Sequence, residues 1–210
     1  MTRSPSRLAI AFVVVGVFLV CGSREVRGQV PSGAVAADPV TATSGDTATI
    51  VAIRSLQREV DRLLPGLRKE QRELVNWSLE GGEVVGAFRG DELRKVHARH
   101  YGESFRRSEE LYFRDGELAF AFIVDELYAG GHYLESGGGK IEMRIEHRMY
   151  FDSGQLVRRI RTQKPAVHEW DESGREPTGD EVLEDAKAYT ACVRAQGEAP
   201  VECAKPDPEA

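Results

Sequence analysis

The clearest pattern of apolar and polar positions lies at residues 107–124, where two strand-forming runs flank the turn sequence Arg-Asp-Gly-Glu at 114–117. Asp-Gly between such runs predicts a β-hairpin, because the turn needs positive φ angles that glycine tolerates. Residues 118–124 contain no polar side chain. Strands that are apolar on both faces are typically covered on both sides, so this segment is predicted to be a central strand.

Strand patterns continue on both sides of this hairpin. Apolar and polar residues alternate from 141 to 151, which predicts a strand with one buried and one solvated face. The open sheet face is expected to carry Arg144, Arg148 and Tyr150. Glycine-containing turns separate six predicted strands, at residues 84–88, 93–101, 107–113, 118–124, 141–151 and 156–162.

Helical periodicity precedes the strands. Residues 49–77 carry an apolar stripe that Asp46 or Thr47 can cap, and Pro65 must break or bend it. This pattern predicts two helical pieces or one bent helix. The stripe comprises Ile50, Ile53, Leu56, Val60, Leu63 and Leu67.

A second helix is predicted at residues 180–195, with Thr178 or Asp180 as its cap. Both helices are expected to cover one sheet face, the face bearing Phe120, Phe122, Met143 and Ile145. The predicted fold is therefore α+β, with a bent N-terminal helix, a six-stranded antiparallel β-meander and a C-terminal helix. The domain is expected to span residues 48–195, between a disordered linker at 29–47 and a flexible tail at 196–210.

Residues 1–28 have the pattern of a secretory signal peptide. Arg3 and Arg7 precede an unbroken apolar run at residues 8–20, and small residues follow it. The run is shorter than the ~20 residues of a typical membrane-spanning helix. An alternative interpretation is a buried N-terminal helix. The signal favours export to the periplasm or the cell surface.

Cys21 introduces a second possibility, a lipid anchor. Bacterial lipoprotein signals end in a cysteine that takes the lipid, although Val20 stands where that pattern has a small residue. The sequence leaves open whether the exported protein is free or anchored through Cys21.

The charge balance argues against one class of partner. The chain of 210 residues has a formal net charge of -6. Residues 1–28 hold four arginines and one glutamate, so the remainder has 24 basic and 33 acidic residues and a net charge of -9. An acidic protein has no general attraction to nucleic-acid phosphates, so no nucleic-acid partner is expected.

Three hairpin tips share an aromatic residue, a glycine turn and a leucine five positions later. Their aromatic residues are Phe88, Phe113 and Phe151. This similarity is explained equally by internal duplication and by what hairpins require.

Two of these tips carry a more specific pattern. Tyr112-Phe113-x-x-Gly116-x-Leu118 and Tyr150-Phe151-x-x-Gly154-x-Leu156 follow a helical segment that ends in Ser-Leu-Glu-Gly-Gly at 78–82. Over residues 53–161 the chain resembles uncharacterised exported bacterial proteins with YYF-x-x-G-x-L hairpins, which are similar to MORN-type repeats. The resemblance implies a β-meander and a cell-envelope location, and it brings no functional residues.

Cys192 and Cys203 are the cysteines that would remain after signal cleavage. In an oxidising compartment they are predicted to form a disulfide, with two unpaired thiols as the alternative. Cys192 lies late in its helix, which disfavours a catalytic thiol.

The histidines do not suggest a metal site. His97 and His100 lie three apart on a predicted strand, so their side chains point to opposite faces. His147 lies on the apolar face of its strand and is expected to be a hydrogen-bonded core histidine.

Four glutamates, Glu109, Glu110, Glu142 and Glu146, are candidates for a hydrolytic carboxylate pair. Cross-strand ion pairs with Arg107, Arg144 and Arg148 on a solvated sheet face explain them more simply. The sequence predicts no catalytic, cofactor-binding or metal-ligating residues.

A non-enzymatic binding or interaction module is the leading functional hypothesis. Its partner would be a protein or small molecule of the cell envelope, and the membrane would be reached only through a lipid on Cys21. An envelope hydrolase that uses Glu142 or Glu146 and a lipid-anchored structural protein are the alternatives.

Overall fold

The computed structural model describes residues 44–134, 139–165, 176–197 and 200–205. The described residues form a seven-stranded antiparallel sheet in which each strand pairs with the next along the chain, and two α-helices. The helices are α1 (Ser44–Leu63) and α2 (Gly179–Arg194). The strands are β1 (Arg68–Leu74), β2 (Gly82–Arg89), β3 (Glu92–Tyr101), β4 (Phe105–Arg114), β5 (Glu117–Tyr128), β6 (Ile141–Asp152) and β7 (Gln155–Lys164).

The α+β class, the antiparallel meander and the helices before and after it are confirmed. The expected number of six strands is wrong, because the additional strand is β1. Helix α1 ends at Leu63, the turn Leu64–Gly66 follows, and the chain continues as the strand Arg68–Leu74 instead of a second helical piece. Proline fits this short turn but not a helix interior. The sequence of β1 is mostly charged, as is usual for the exposed edge of a sheet.

Helix α1 begins earlier than its pattern suggested. It starts at Ser44, so Asp46 and Thr47 lie inside the helix and the predicted cap is wrong. The last residues of the expected linker 29–47, residues 44–47, therefore belong to α1. The signal peptide and Cys21 lie outside the described residues.

The two helices cover opposite faces of the sheet, which corrects the expectation of one shared face. In the β5–β6 register, Phe122 lies opposite Arg148 and Asp125 lies opposite Ile145. Facing residues of an antiparallel pair share a face. Phe120 and Phe122 therefore lie on the α1 face, while Met143 and Ile145 lie on the α2 face.

Each face has its own core. The α1 face has Ile50, Ile53, Leu56 and Val60 from the helix against Tyr112, Phe120 and Tyr150. The α2 face has Val182, Ala186, Tyr189 and Val193 from the helix against Val96, Leu111, Ala121 and Met149. Strand β5 is thus covered on both sides, as its apolar sequence predicts. Tyr150, which was expected on an open face, is buried under α1.

The three similar hairpin tips share one local geometry. A β-bulge precedes each aromatic residue, and Phe88, Phe113 and Phe151 lie opposite the leucines Leu93, Leu118 and Leu156. All three phenylalanines join the core on the α2 face. The shared sequence pattern therefore places one aromatic side chain per hairpin in that core.

Gly86 in β2 allows α2 to approach the sheet closely. A Cβ atom at this position would lie 2.9 Å from the Cβ of Val193 and 2.9 Å from the ring of Phe88. We expect Gly86→Ala to destabilise the protein by about 1–2 kcal/mol, because the overpacked helix must shift. Urea unfolding measures this effect. Gly66→Ala is the control, since a Cβ there has no neighbour within 4 Å, and an equal loss in both variants would contradict the explanation.

Candidate ligand-binding site

A cavity of about 400 Å³ opens on the α2 face of the sheet. Its walls come from the sheet, from α2 and from the segment at residues 200–205. The polar lining that concerns the chemistry is His100, Arg107, Glu109, Asp125, His147 and Tyr189.

The strand register explains why these polar groups meet. His100 of β3 lies opposite Arg107 of β4, which in turn lies opposite Asp125 of β5. These residues form one row across the strands. In the next row on the same face, Ile123 of β5 lies between Glu109 of β4 and His147 of β6. These two rows form one end of a face whose other end is apolar core. The sheet therefore presents a compact polar patch beneath α2.

Glu109 is the central acid of this patch. It is only 3% exposed, and the Tyr189 hydroxyl lies 3.3 Å from its Oε2 atom. Its Oε1 atom has longer contacts, 3.8 Å to His100 Nε2 and 4.0 Å to a terminal nitrogen of Arg107. Burial raises the pKa of Glu109 to about 7, and the positive charge of Arg107 only partly opposes this rise.

A hydrogen-bonded chain links Glu109 to His100 through Tyr189. The Tyr189 hydroxyl lies 2.8 Å from His100 Nε2. Burial lowers the pKa of His100 to about 4, so its ring is neutral at pH 7. When Glu109 is protonated it donates to Tyr189, which donates to His100; when Glu109 is ionised, the tautomer of His100 with a proton on Nε2 reverses both bonds. The chain can therefore satisfy either charge state of Glu109.

Aromatic rings form one wall of the cavity. Trp77 stacks on Tyr189 with 4.5 Å between ring centroids, and the Lys205 ammonium lies 4.0 Å from the centre of the Trp77 ring. The indole nitrogen of Trp77 donates to the Cys203 carbonyl at 3.1 Å. Through these contacts, residues 200–205 hold the Trp77 ring in place at the cavity.

Residues 200–205 were assigned to a flexible tail, but in the structure they are bound to the rest of the domain. The sulfur atoms of Cys192 and Cys203 lie at disulfide distance, with 4.6 Å between their Cα atoms, in agreement with the predicted bridge. The Lys205 backbone donates to the Val75 carbonyl at 3.0 Å. The bridge and this pairing hold Lys205 at the cavity.

The charges that line the cavity are almost balanced. Arg107 donates twice to Asp125, at 2.6 and 3.1 Å, and Lys205 Nζ lies 3.0 Å from Asp185. Glu176 contacts two cations, Arg161 at 3.1 Å and Arg159, which is outside the cavity lining. Among the lining acids that the structure describes, Glu109 has the most distant cation, Arg107 at 4.0 Å. An ionised Glu109 is therefore the least compensated negative charge among these acids.

The histidine predictions are confirmed in part. His97 and His100 lie on opposite sheet faces, with His97 2.9 Å from Ser108 and His100 in the cavity. His147 is buried, as expected of a core histidine, but its Nδ1 atom has no hydrogen-bond partner in the described part of the chain. Burial lowers the pKa of His147 to about 4.

The glutamates separate into two groups. Glu146 contacts Arg144 at 2.9 Å and Arg148 at 2.8 Å, so it does form ion pairs, but they run along β6 and not across strands as predicted. The expectation that Glu109 and Arg107 lie on a solvated face is wrong, because both line the cavity under α2. The sequence held a signal for this, since polar residues at 100, 107, 109 and 147 interrupt otherwise apolar alternation on that face.

Helix α2 positions Tyr189 and begins with a capping box. The Thr178 hydroxyl accepts from the Glu181 backbone, and the Glu181 carboxylate accepts from the Thr178 backbone at 2.9 Å. Thr178 was one of the two predicted caps. We expect Thr178→Ala to destabilise the protein by about 1 kcal/mol in thermal unfolding, while Thr178→Ser retains the bond and most of the stability. Equal losses in the two variants would contradict the capping role.

No protein-family model, no curated protein and no solved structure matches this chain. The resemblance to exported proteins with MORN-like hairpins therefore stays a prediction. Neither helix in the described part of the chain is long and apolar enough to cross a membrane.

Proposed function

We propose that this protein is an exported binding protein whose cavity takes up a small organic cation, with its protonated amine against Glu109. The observation that supports this most directly is the buried Glu109 carboxylate, which faces a cavity in which the other acids already contact cations. Export is supported by the signal-like residues 1–28 and by the distance between Cys192 and Cys203, which fits an oxidising compartment.

The charge balance selects the ligand class. A monocation bound beside Glu109 would make a charge-assisted hydrogen bond and compensate the fourth acid of the cavity. An anion would meet the same carboxylate and would be repelled. The ammonium would also stabilise the ionised form of Glu109, so binding near pH 7 releases a proton.

The shape and the remaining lining suit a small molecule. A volume of about 400 Å³ lies in the range of small-molecule pockets, roughly 300–1,000 Å³. Phe105, Leu127 and Ile145 add apolar surface beside the polar patch. The organic part of the ligand would lie on these side chains, and Glu109 and His147 would orient its polar groups.

The direct test is calorimetric titration of the full chain near pH 7 with primary amines such as benzylamine and with their matched alcohols. We expect amines to bind at least about tenfold more tightly than alcohols, because only amines pair with a buried carboxylate. Glu109→Gln should remove this preference, while Glu142→Gln, an exposed glutamate of β6, should not. Equal affinity for amines and alcohols, or tighter binding of benzoate, would contradict the proposal.

Acid–base catalysis in the same cavity is the second candidate function. The specific observation is the pKa of Glu109, about 7, which is where a general acid or base is most effective at neutral pH. This moves the hydrolase hypothesis from Glu142 and Glu146 to Glu109. Release of product from a panel of chromogenic esters and glycosides, lost in Glu109→Gln, would favour an enzyme. A lipid-anchored structural role rests on Cys21, outside the described residues.

A further inference from the structure

The α1 face holds a second cavity, a groove of about 650 Å³ between the helix and strands β5 and β6. Arg54 and Arg58 of α1 line one side and Arg148 of β6 lines the other, above Phe122 and Tyr150. We propose that this groove binds a phosphate ester, with the phosphate on the three arginines and the organic part beside Val51 and Phe122.

The groove has an excess of positive charge. Arg54 contacts the Tyr150 hydroxyl at 3.4 Å, and Arg58 donates to the Arg54 carbonyl and the Ser55 hydroxyl. Within the described residues, neither arginine forms an ion pair, and Arg148 has one acid partner, Glu146 at 2.8 Å. Three guanidinium groups thus meet one carboxylate, in a chain whose net charge is -6.

Two of the three arginines repel each other weakly, since Arg54 and Arg58 are both exposed to solvent. Like charges four residues apart on a helix repel each other, and Arg54 and Arg58 have that spacing on α1. Both side chains lie at the groove. An anion between α1 and β6 would relieve this repulsion by contacting both sides at once.

The aromatic floor orients the arginines. The Arg148 guanidinium lies 4.9 Å from the centre of the Phe122 ring, and that of Arg54 lies 5.8 Å from the centre of the Tyr150 ring. Guanidinium groups over aromatic rings keep their N–H edges free for an anion. Val51 is 56% exposed beside the groove and adds apolar surface for the organic part of the ligand.

A phosphate ester fits better than a carboxylate. A phosphomonoester near pH 7 has a charge of about -1.5 to -2 and three terminal oxygens. The groove offers three guanidinium groups, and two of them have no carboxylate partner among the described residues, so the charges and the hydrogen-bonding groups match. A carboxylate offers one charge and two oxygens. The phosphate can belong to a soluble ester or to a phospholipid headgroup, and these two sources need separate arms of the test.

The soluble arm is calorimetric titration of the full chain with phenyl phosphate, with phenylacetate as the carboxylate comparison. The lipid arm is co-sedimentation with phosphatidylcholine vesicles with and without phosphatidic acid. The groove variants are Arg54→Gln, Arg58→Gln and Arg148→Gln, and Arg89→Gln at the exposed end of β2 removes the same charge elsewhere. Circular dichroism checks that each variant is folded.

We expect phosphate binding in at least one arm, and about a tenfold weaker affinity in each groove variant than in the parent or in Arg89→Gln. Binding of phenyl phosphate identifies a soluble ester, whereas binding only to phosphatidic acid vesicles identifies a lipid headgroup. No binding in either arm overturns the proposal. Phenylacetate binding as tightly as phenyl phosphate, or an equal loss in Arg89→Gln, overturns it as well.

Discussion

Glu109→Gln is expected to stabilise the protein at about pH 8 by about 3 kcal/mol and to leave its stability at about pH 4 nearly unchanged. Burial raises the pKa of Glu109 from 4.5 to about 7, and each unit of this rise corresponds to about 1.4 kcal/mol. The native state therefore binds a proton that the unfolded state has already released between these two pKa values. The parent consequently loses stability as the pH rises from about 4.5 to 7, and the glutamine variant does not.

Urea unfolding of parent and variant across this pH range measures the difference. Two buried histidines change the stability in the opposite direction. Burial lowers the pKa of His100 and of His147 from 6.5 to about 4. The parent and Glu109→Gln therefore both gain stability from these histidines as the pH rises from about 4 to 6.5. Subtracting the two curves isolates Glu109. Glu142→Gln is the matched control on an exposed strand position. If the difference in unfolding free energy between the parent and Glu109→Gln is the same at every pH, Glu109 does not titrate near pH 7.

Lys95→Ala is expected to destabilise the protein by about 3 kcal/mol. Lys95 is 7% exposed on the α1 face, and its ammonium lies 2.9 Å from Glu110, 3.1 Å from Asp61 and 2.7 Å from the Tyr112 hydroxyl. Asp61 belongs to α1, so this cation connects the helix to the sheet. Removal of Lys95 leaves the carboxylates of Asp61 and Glu110 close together. The loss of stability stays moderate because both carboxylates are partly exposed to water.

The pH dependence of this loss distinguishes the ion pair from lost packing. Burial by itself would raise the pKa of Glu110, but the hydrogen bond and charge of Lys95 hold that pKa below its ordinary value. The stability that this contact contributes is present above the ordinary pKa of Glu110 and is lost as Glu110 protonates in acid. The stabilities of the parent and Lys95→Ala should therefore approach each other as the pH falls below 4.5, the ordinary pKa of a glutamate. Lys95→Met and the exposed control Lys69→Ala separate the effect of charge from that of packing. A loss that is equal at all pH values would assign the effect to packing.

The fold was largely predictable because each β-hairpin is specified locally. At the central turn, Asp115 and Gly116 have φ angles of 52° and 84°, the positive values that Asp-Gly predicts. Local patterns could not reveal β1, since Leu67 continues the helical spacing while the strand is almost entirely polar. They also could not show that α1 and α2 lie on opposite faces, because that depends on the register between β5 and β6.

The candidate site was harder to predict, for a physical reason. Glu109 and Glu110 are neighbours in sequence, yet a strand directs them to opposite faces, one into the cavity and the other to Lys95. Their environments then give them opposite pKa shifts. The sequence pattern identified both as surface ion-pairing residues, because only cross-strand register shows that Glu109 shares its row with His147 under α2.

We propose Glu109 as the ligand-binding carboxylate of the cavity. The most direct measurement is a ¹³C NMR titration of the Glu109 side-chain carboxyl in the full chain, with and without saturating benzylamine. We expect a pKa of about 7 in the free protein and a clearly lower pKa when the amine is bound, because the ammonium stabilises the carboxylate. A pKa in the ordinary glutamate range that does not change with the amine would contradict this proposal.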